Sequence, residues 1–334
     1  MQQAEETSDH LASLNPAQRL AAEYGECGKG QFRAGPLLVI AGAGTGKTMT
    51  LAHRVAHLVI SGVRPERILL LTFTRRAAQE MTRRVESIVR ASTAGARALP
   101  AGGLPWSGTF HSIGNRLLRR FAHNLGLDPG FSVLDRGDAS DVIDVVRHEL
   151  KLSGTSRRFP KKDTCLAIYS RCVNARQPLA EALDKLYPWC SDWHAELAEM
   201  FRNYVLRKQH CQALDYDDLL LYWSHLVADR EFAEEIGSFF DHILVDEYQD
   251  TNSLQADILN ALKPDGHGMT VVGDDAQSIY SFRAAEVENI LNFPDQYMPT
   301  AKVITLEQNY RSTQPILDSA NSLIAESDRQ YRKN

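Results

Sequence analysis

The stretch that most constrains this 334-residue chain is Ala41-Gly42-Ala43-Gly44-Thr45-Gly46-Lys47-Thr48. The apolar run Leu37-Leu38-Val39-Ile40 leads into it, and Leu51, Val55, Leu58 and Val59 follow at helical spacing. Strand, glycine-rich turn and helix together form the setting in which backbone N–H groups converge on phosphate oxygens. The helix N-terminus adds partial positive charge at the same place. Lys47 is spaced to reach the β- and γ-phosphates of a nucleotide, and the Thr48 hydroxyl to ligate Mg²⁺. Ala41 stands where the pattern has its first glycine, so the flanking strand and helix carry this reading more than the string does.

Bulk properties narrow the alternatives. Net charge is −5, from 37 basic and 42 acidic residues, so any nucleic-acid surface must be local. The five cysteines are widely spaced, with no CxxC pair or zinc pattern, which reads as free thiols in a reducing compartment. The first residues are polar and acidic, and no run of about 18 apolar residues occurs. The expectation is a soluble, cytoplasmic protein with no membrane partner.

Several other stretches carry chemistry. Asn15 is spaced to cap a helix starting at Pro16, which puts Gln18 one turn in. The Gln18 amide can both donate and accept, as the edge of adenine requires. Ile68-Leu69-Leu70-Leu71 is a second strand, and it ends in Thr72-Phe73-Thr74-Arg75-Arg76 before another amphipathic helix. Two βα units predict a parallel sheet, with ligands at the carboxyl ends of its strands. Hydroxyls, an aromatic ring and arginines at such an end suit a nucleic-acid strand, by stacking and phosphate contact. Gly108-Thr109-Phe110-His111-Ser112 repeats that mixture.

Residues 113–213 read as helix after helix, an all-helical insertion into the α/β domain. The carboxylates Asp215, Asp217 and Asp218 open a helix, and complementing its dipole accounts for them without further chemistry. His242-Ile243-Leu244-Val245 then runs into Asp246-Glu247: Asp246 is placed to hold Mg²⁺ through water, and Glu247 to polarise the attacking water. Met269 to Gly273 is a further strand. Beyond it, Gln277 could sense the γ-phosphate, while Tyr280, Phe282 and Arg283 could meet bases and phosphates. Val303 to Leu306 is a last strand, followed by Asn309-Tyr310-Arg311-Ser312. There Tyr310 offers a face for adenine and Arg311 a charge for the γ-phosphate.

These blocks, in this order, resemble the N-terminal part of superfamily 1 helicases of the UvrD/Rep/PcrA type, from Leu14 to about Ala325. The resemblance implies a RecA-like P-loop fold and an ATP-driven 3′→5′ translocase on single-stranded DNA and its junctions with duplex. It further implies that Gln18 and Tyr310 hold adenine, and that Lys47, Thr48, Asp246, Glu247, Gln277 and Arg311 handle phosphate, Mg²⁺ and water. Thr72, Phe73, Thr109, Phe110, His111, Tyr280, Phe282 and Arg283 are then the strand contacts. The implied division is a motor domain over 1–112 and 214–306, the insertion over 113–213, and the start of a second motor domain over 307–334. Met49 and Thr82 stand where relatives often carry arginine, Tyr248 where Phe is more usual, and Phe282 where Trp is. The blocks that follow Asn309-Tyr310-Arg311-Ser312 in such helicases do not occur in this sequence. Two other classes therefore stay open: a module that binds ATP and DNA without turnover, and a P-loop switch acting on proteins.

Overall fold

The structure is a computed structural model that describes residues 9–28, 31–92, 99–100, 102–152, 158–281 and 284–324. In chain order the strands are β1 (Glu26–Gly28), β2 (Gln31–Arg33), β3 (Leu37–Ala41), β4 (Ile68–Leu71), β5 (Trp106–Gly108), β6 (Ser132–Val133), β7 (Ala213–Leu214), β8 (His242–Val245), β9 (Met269–Gly273) and β10 (Lys302–Leu306). Six of them form one parallel sheet in the order β10-β3-β9-β8-β4-β5. The sheet is apolar on both faces, as a parallel sheet covered by helices requires. Alternate side chains of β3 enter different cores. Leu37, Val39 and Ala41 pack with Leu51, Val55, Met81 and Val85, from α2 (Lys47–Ile60) and α3 (Arg75–Ser92). Leu38 and Ile40 pack on the other side with Leu117 of α4 (Phe110–Arg120).

The insertion carries a core of its own. It contains α5 (Arg136–Glu149), α6 (Lys162–Asn174), α7 (Leu179–Leu186) and α8 (His194–His210). Ile143, Val146, Ile168, Leu197, Met200 and Tyr204 pack together there. The expected boundary at residue 113 falls within α4. Phe110, Ile113 and Leu117 all pack in the sheet core with Trp223 of α9 (Tyr216–Ala228), so α4 is a layer of the α/β body. The two helices approach closely at Gly114, where a Cβ would lie 3.2 Å from the Trp223 ring. The chain returns to the α/β body through β7, which pairs with β6. It then continues through α9, α10 (Arg230–Ser238), α11 (Ser253–Leu262) and α12 (Glu288–Asn292).

One buried arginine fixes the first helix, α1 (Pro16–Glu23), to the sheet. Arg54 donates to the hydroxyl of Thr270 at 2.8 Å and to the carbonyls of Ala21 at 3.1 Å and Tyr24 at 2.8 Å. Its complete burial pulls the guanidinium pKa down to about 10. At the other end of the chain, α13 (Gln314–Ile324) buries none of its residues. Among the described residues no helix is long and apolar enough to cross a membrane.

Candidate nucleotide site and strand-facing cleft

The phosphate-loop geometry follows from its glycines. Gly44 and Gly46 have φ of +85° and +86°, a region that costs other residues strain. Gly46 is closed to side chains for a second reason: a Cβ there would sit 2.6 Å from Nε2 of Gln18. Gln18 reaches the loop from α1, where it completes a capping box with Asn15. Its Oε1 accepts from the Asn15 N–H at 3.0 Å, and its Nε2 donates to the Thr45 carbonyl at 2.9 Å. Gln18 thus already braces the loop that it was expected to serve by reading adenine. One amide hydrogen and one lone pair are left for a base edge.

Lys47 opens α2 and is almost fully buried. Its Nζ lies 2.7 Å from Oε2 of Glu247, which is one-third exposed. Glu247 sits just past β8 with φ of +53°, a conformation rare outside glycine and typical of strained functional turns. Beside it, burial pushes the Asp246 carboxyl up to about 6, helped by the Glu247 charge and opposed by Lys47. Asp250 is raised to about 6 for the same reasons. Gln249, which has no expected role, ties the ends of two strands together. Its Nε2 donates to Glu247 at 2.9 Å, and its Oε1 accepts from the Asp274 N–H at 3.0 Å. Gln277 donates in turn to Asp274. A polar residue two places after an acidic strand end was the only available signal for Gln249.

Tyr310 and Arg311 are brought over the phosphate loop by β10, the immediate neighbour of β3. Tyr310 N–H donates to the Gly44 carbonyl at 2.9 Å, and its hydroxyl accepts from Asn15 at 3.0 Å. Asn309 is the clamp that sequence reasoning missed. It donates to the Ala43 carbonyl at 2.7 Å and accepts from the N–H groups of Arg311 and Ser312. Of the residues expected at the nucleotide, Gln18, Lys47, Glu247, Tyr310 and Arg311 therefore all lie on or against the loop.

The expected strand contacts divide. Phe73 is 38% exposed and stacks at a tilt on Tyr280, with ring centroids 5.1 Å apart. Both rings line a cleft of about 550 Å³ whose walls also include Thr48, Asp246, Glu247 and Gln277. His111 meets Tyr216 edge-on at 5.5 Å, and burial pushes its imidazole pKa down to about 4. Tyr216 is exposed beside it and was not foreseen, because the acidic residues around it drew the reading. Thr109 caps α4 in a capping box with Ser112. Two of the expected contacts are buried. Phe110 is 6% exposed and lies against Trp223 at 6.2 Å, so it is a core residue. Thr72 is buried too, and its hydroxyl donates to the Thr74 carbonyl at 3.0 Å. Phe282 and Arg283 fall outside the described residues.

Comparison with known proteins agrees with this arrangement. Residues 16–298 match the UvrD/REP helicase N-terminal domain. The chain is 38% identical over 327 residues to the ATP-dependent DNA helicase PcrA of Bacillus subtilis (strain 168), covering 97% of this chain and 41% of that protein. It is 38% identical over 296 residues to PcrA of Leuconostoc citreum, covering 88% of this chain. Against PcrA of Staphylococcus epidermidis it is 40% identical over 294 residues, covering 87% of this chain and 38% of the relative. The chain thus spans about two fifths of the length of the curated relatives it matches. A family match that runs through the phosphate loop, the Asp246-Glu247 strand end and most of the sheet allows one assignment: the chain belongs to the UvrD/REP helicase family.

Proposed function

We propose that this chain is the ATP- and DNA-binding half of a helicase motor, and that it hydrolyses ATP on single-stranded DNA. The observation that carries this is the shared cleft: Thr48, Asp246, Glu247 and Gln277 line it together with the stacked rings of Phe73 and Tyr280. A site that puts phosphate chemistry and base stacking in one cleft suits an enzyme whose turnover depends on a nucleic-acid strand. The domain division consistent with the packing keeps α4 in the motor domain, runs the insertion from β6 to β7, and starts a second motor domain after β10.

The residues fit a magnesium nucleotide. Asp246 has one oxygen held by the Glu247 N–H and another to offer, and Thr48 lies on the same wall. Mg²⁺ takes few protein ligands and keeps much of its water, so these two suffice. When bound, the ion screens phosphate charge. Lys47 is the electrostatic partner of the β- and γ-phosphates. In the structure it is neutralised by Glu247, so an arriving phosphate must replace that carboxylate. The exchange frees Glu247 to take the proton of the attacking water. Gln277 lines the same cleft, and Arg311 is held through its N–H by the clamping Asn309, from where its charge can serve the phosphate that develops in the transition state. The DNA substrate, from single strands to junctions with duplex, belongs to this proposal, as does action in the cytoplasm.

The test is ATP hydrolysis by this chain with and without oligo-dT, alongside binding of each ligand alone. Stimulation by DNA is the expected result. Binding of both ligands with no turnover would reduce the function to a binding module. Failure of oligo-dT to bind would overturn the strand-facing assignment.

A further inference from the structure

Helix α6 belongs to the insertion, yet its last turns are bonded to the loops that follow β8 and β9. Asn174 is buried and fully used. Its Nδ2 donates to Asp217 at 2.6 Å and to the Ser170 carbonyl at 2.9 Å, and its Oδ1 accepts from Nδ2 of Asn252 at 2.9 Å. Asn252 is the N-cap of α11, at the end of the loop that begins with Asp246 and Glu247. One turn earlier on α6, Arg171 donates to the carbonyl of Ser281 at 2.8 Å. Ser281 directly follows Tyr280 in the loop that also carries Gln277. Positions three apart on a helix lie on one face, so a single rigid element holds both loops. Just past α6, Arg176 adds an ion pair to Asp257 at 2.7 Å and a bond to the Ser224 hydroxyl at 2.6 Å, anchoring the same end of the helix to α11 and α9.

The two loops also hold each other. Glu286 N–H donates to the Thr251 carbonyl at 3.1 Å, and Asn252 bridges to Ala285. A shift at Glu247 or Gln277 therefore strains the bonds to α6 unless the helix moves too. We propose that Arg171 and Asn174 are positioning residues that tie the helical insertion to the nucleotide-facing and strand-facing loops, so that binding at one site is felt at the other through α6. This rests on the proposed binding of ATP and DNA, and concerns residues outside the lining of the shared cleft.

The experiment measures the affinity of fluorescein-labelled oligo-dT with and without a saturating Mg²⁺ complex of a non-hydrolysable ATP analogue. The ratio of the two affinities is the coupling factor, and factors from about 5 upward are usual for coupled sites. In Arg171→Ala the factor is expected to fall towards one, while each single-ligand affinity stays within about two-fold of the parent, since Arg171 does not line the shared cleft. Arg171→Lys should restore part of the coupling, because an ammonium can donate to the same carbonyl. Asn174→Ala should reduce the factor as well, with a thermal melt run beside it. Arg171→Ala acts at an exposed bond and is expected to melt like the parent, which separates coupling from folding. A parent-like factor in both alanine variants overturns the proposal. So does a parent that binds each ligand but shows no coupling. If either ligand fails to bind alone, the functional reading falls first and this one with it.

Discussion

Replacing Glu247 by Gln is expected to tighten nucleotide binding while stopping hydrolysis. The Lys47 ammonium and the Glu247 carboxylate are 2.7 Å apart, with Lys47 buried and Glu247 one-third exposed. Two unit charges about 4 Å apart interact by about 4 kcal/mol at an effective dielectric near 20, and exposure reduces what a pair near the surface delivers. After that discount, about 1 kcal/mol of Lys47's attraction is committed to Glu247 and must be given up when a phosphate arrives. Gln keeps the shape and still accepts a hydrogen bond, but it releases that charge and removes repulsion between carboxylate and phosphate. The gain is roughly five-fold in affinity, at 1.4 kcal/mol per factor of ten. Titration with a fluorescent Mg²⁺-ADP or Mg²⁺-ATP analogue reads it directly. AMP is the control: it places no phosphate at Lys47, so Glu247→Gln should bind it like the parent. Equal or weaker binding of the ATP analogue by Glu247→Gln would refute the competition between carboxylate and phosphate.

Three further predictions follow from burial. The Tyr248 hydroxyl is fully buried and has no hydrogen-bond partner among the described residues, so Tyr248→Phe should raise stability by about 1 kcal/mol in denaturant unfolding. Destabilisation would mean that the hydroxyl is bonded. Burial pushes His242 down to about 4, so the folded state refuses a proton that the unfolded chain accepts near pH 6.5. That stability is intact above pH 6.5 and is lost as pH falls towards 4. By pH 5 His242 costs about 2 kcal/mol, and the stability of His242→Leu relative to the parent should improve by that amount between pH 7 and 5. Asp217, Asp218, Asp246 and Asp250 are all raised to about 6 and shift stability the opposite way over pH 6 to 4, which is why the comparison with the variant matters. Finally, Phe110→Ala should cost about 3–5 kcal/mol of stability, whereas Phe73→Ala should leave folding nearly unchanged and weaken oligo-dT binding by about 1–3 kcal/mol. Interchanged effects would reverse the assignment of the two rings.

The sequence disclosed what is local and withheld what depends on distant partners. The Asn15–Gln18 cap, the left-handed Gly44 and Gly46, and the apolar strands were legible because spacing within a few residues decides them. Phe73 and Phe110 looked alike, each an aromatic near a strand end followed by a helix. What separates them is Trp223, which covers Phe110 from a helix far along the chain. The three carboxylates after Leu214 read as complements to a helix dipole. Asp215 does cap α9, but it also meets Lys208 at 2.6 Å together with Asp218, and Lys208 is buried in the insertion's last helix. A buried ion pair whose two sides come from different helices leaves no periodic trace. The packing of α4 in the sheet core was hidden for a similar reason, since it has the same helical pattern as the helices that follow it.

The strand order also bears on how the protein is made. β3, which leads into the phosphate loop, has as its only sheet neighbours β9 and β10, pairing Leu37 with Thr270 on one side and with Lys302 on the other. On the ribosome, this wholly buried strand must wait for both partners until nearly the whole domain has been synthesised. Such distant pairings are slow to close, and an unpaired apolar strand invites association with other chains meanwhile. The clamp from Asn309 to Ala43 forms at the same late moment. The phosphate loop is therefore translated early and finished late, and a nascent chain gains its full nucleotide pocket only when the last strand has docked.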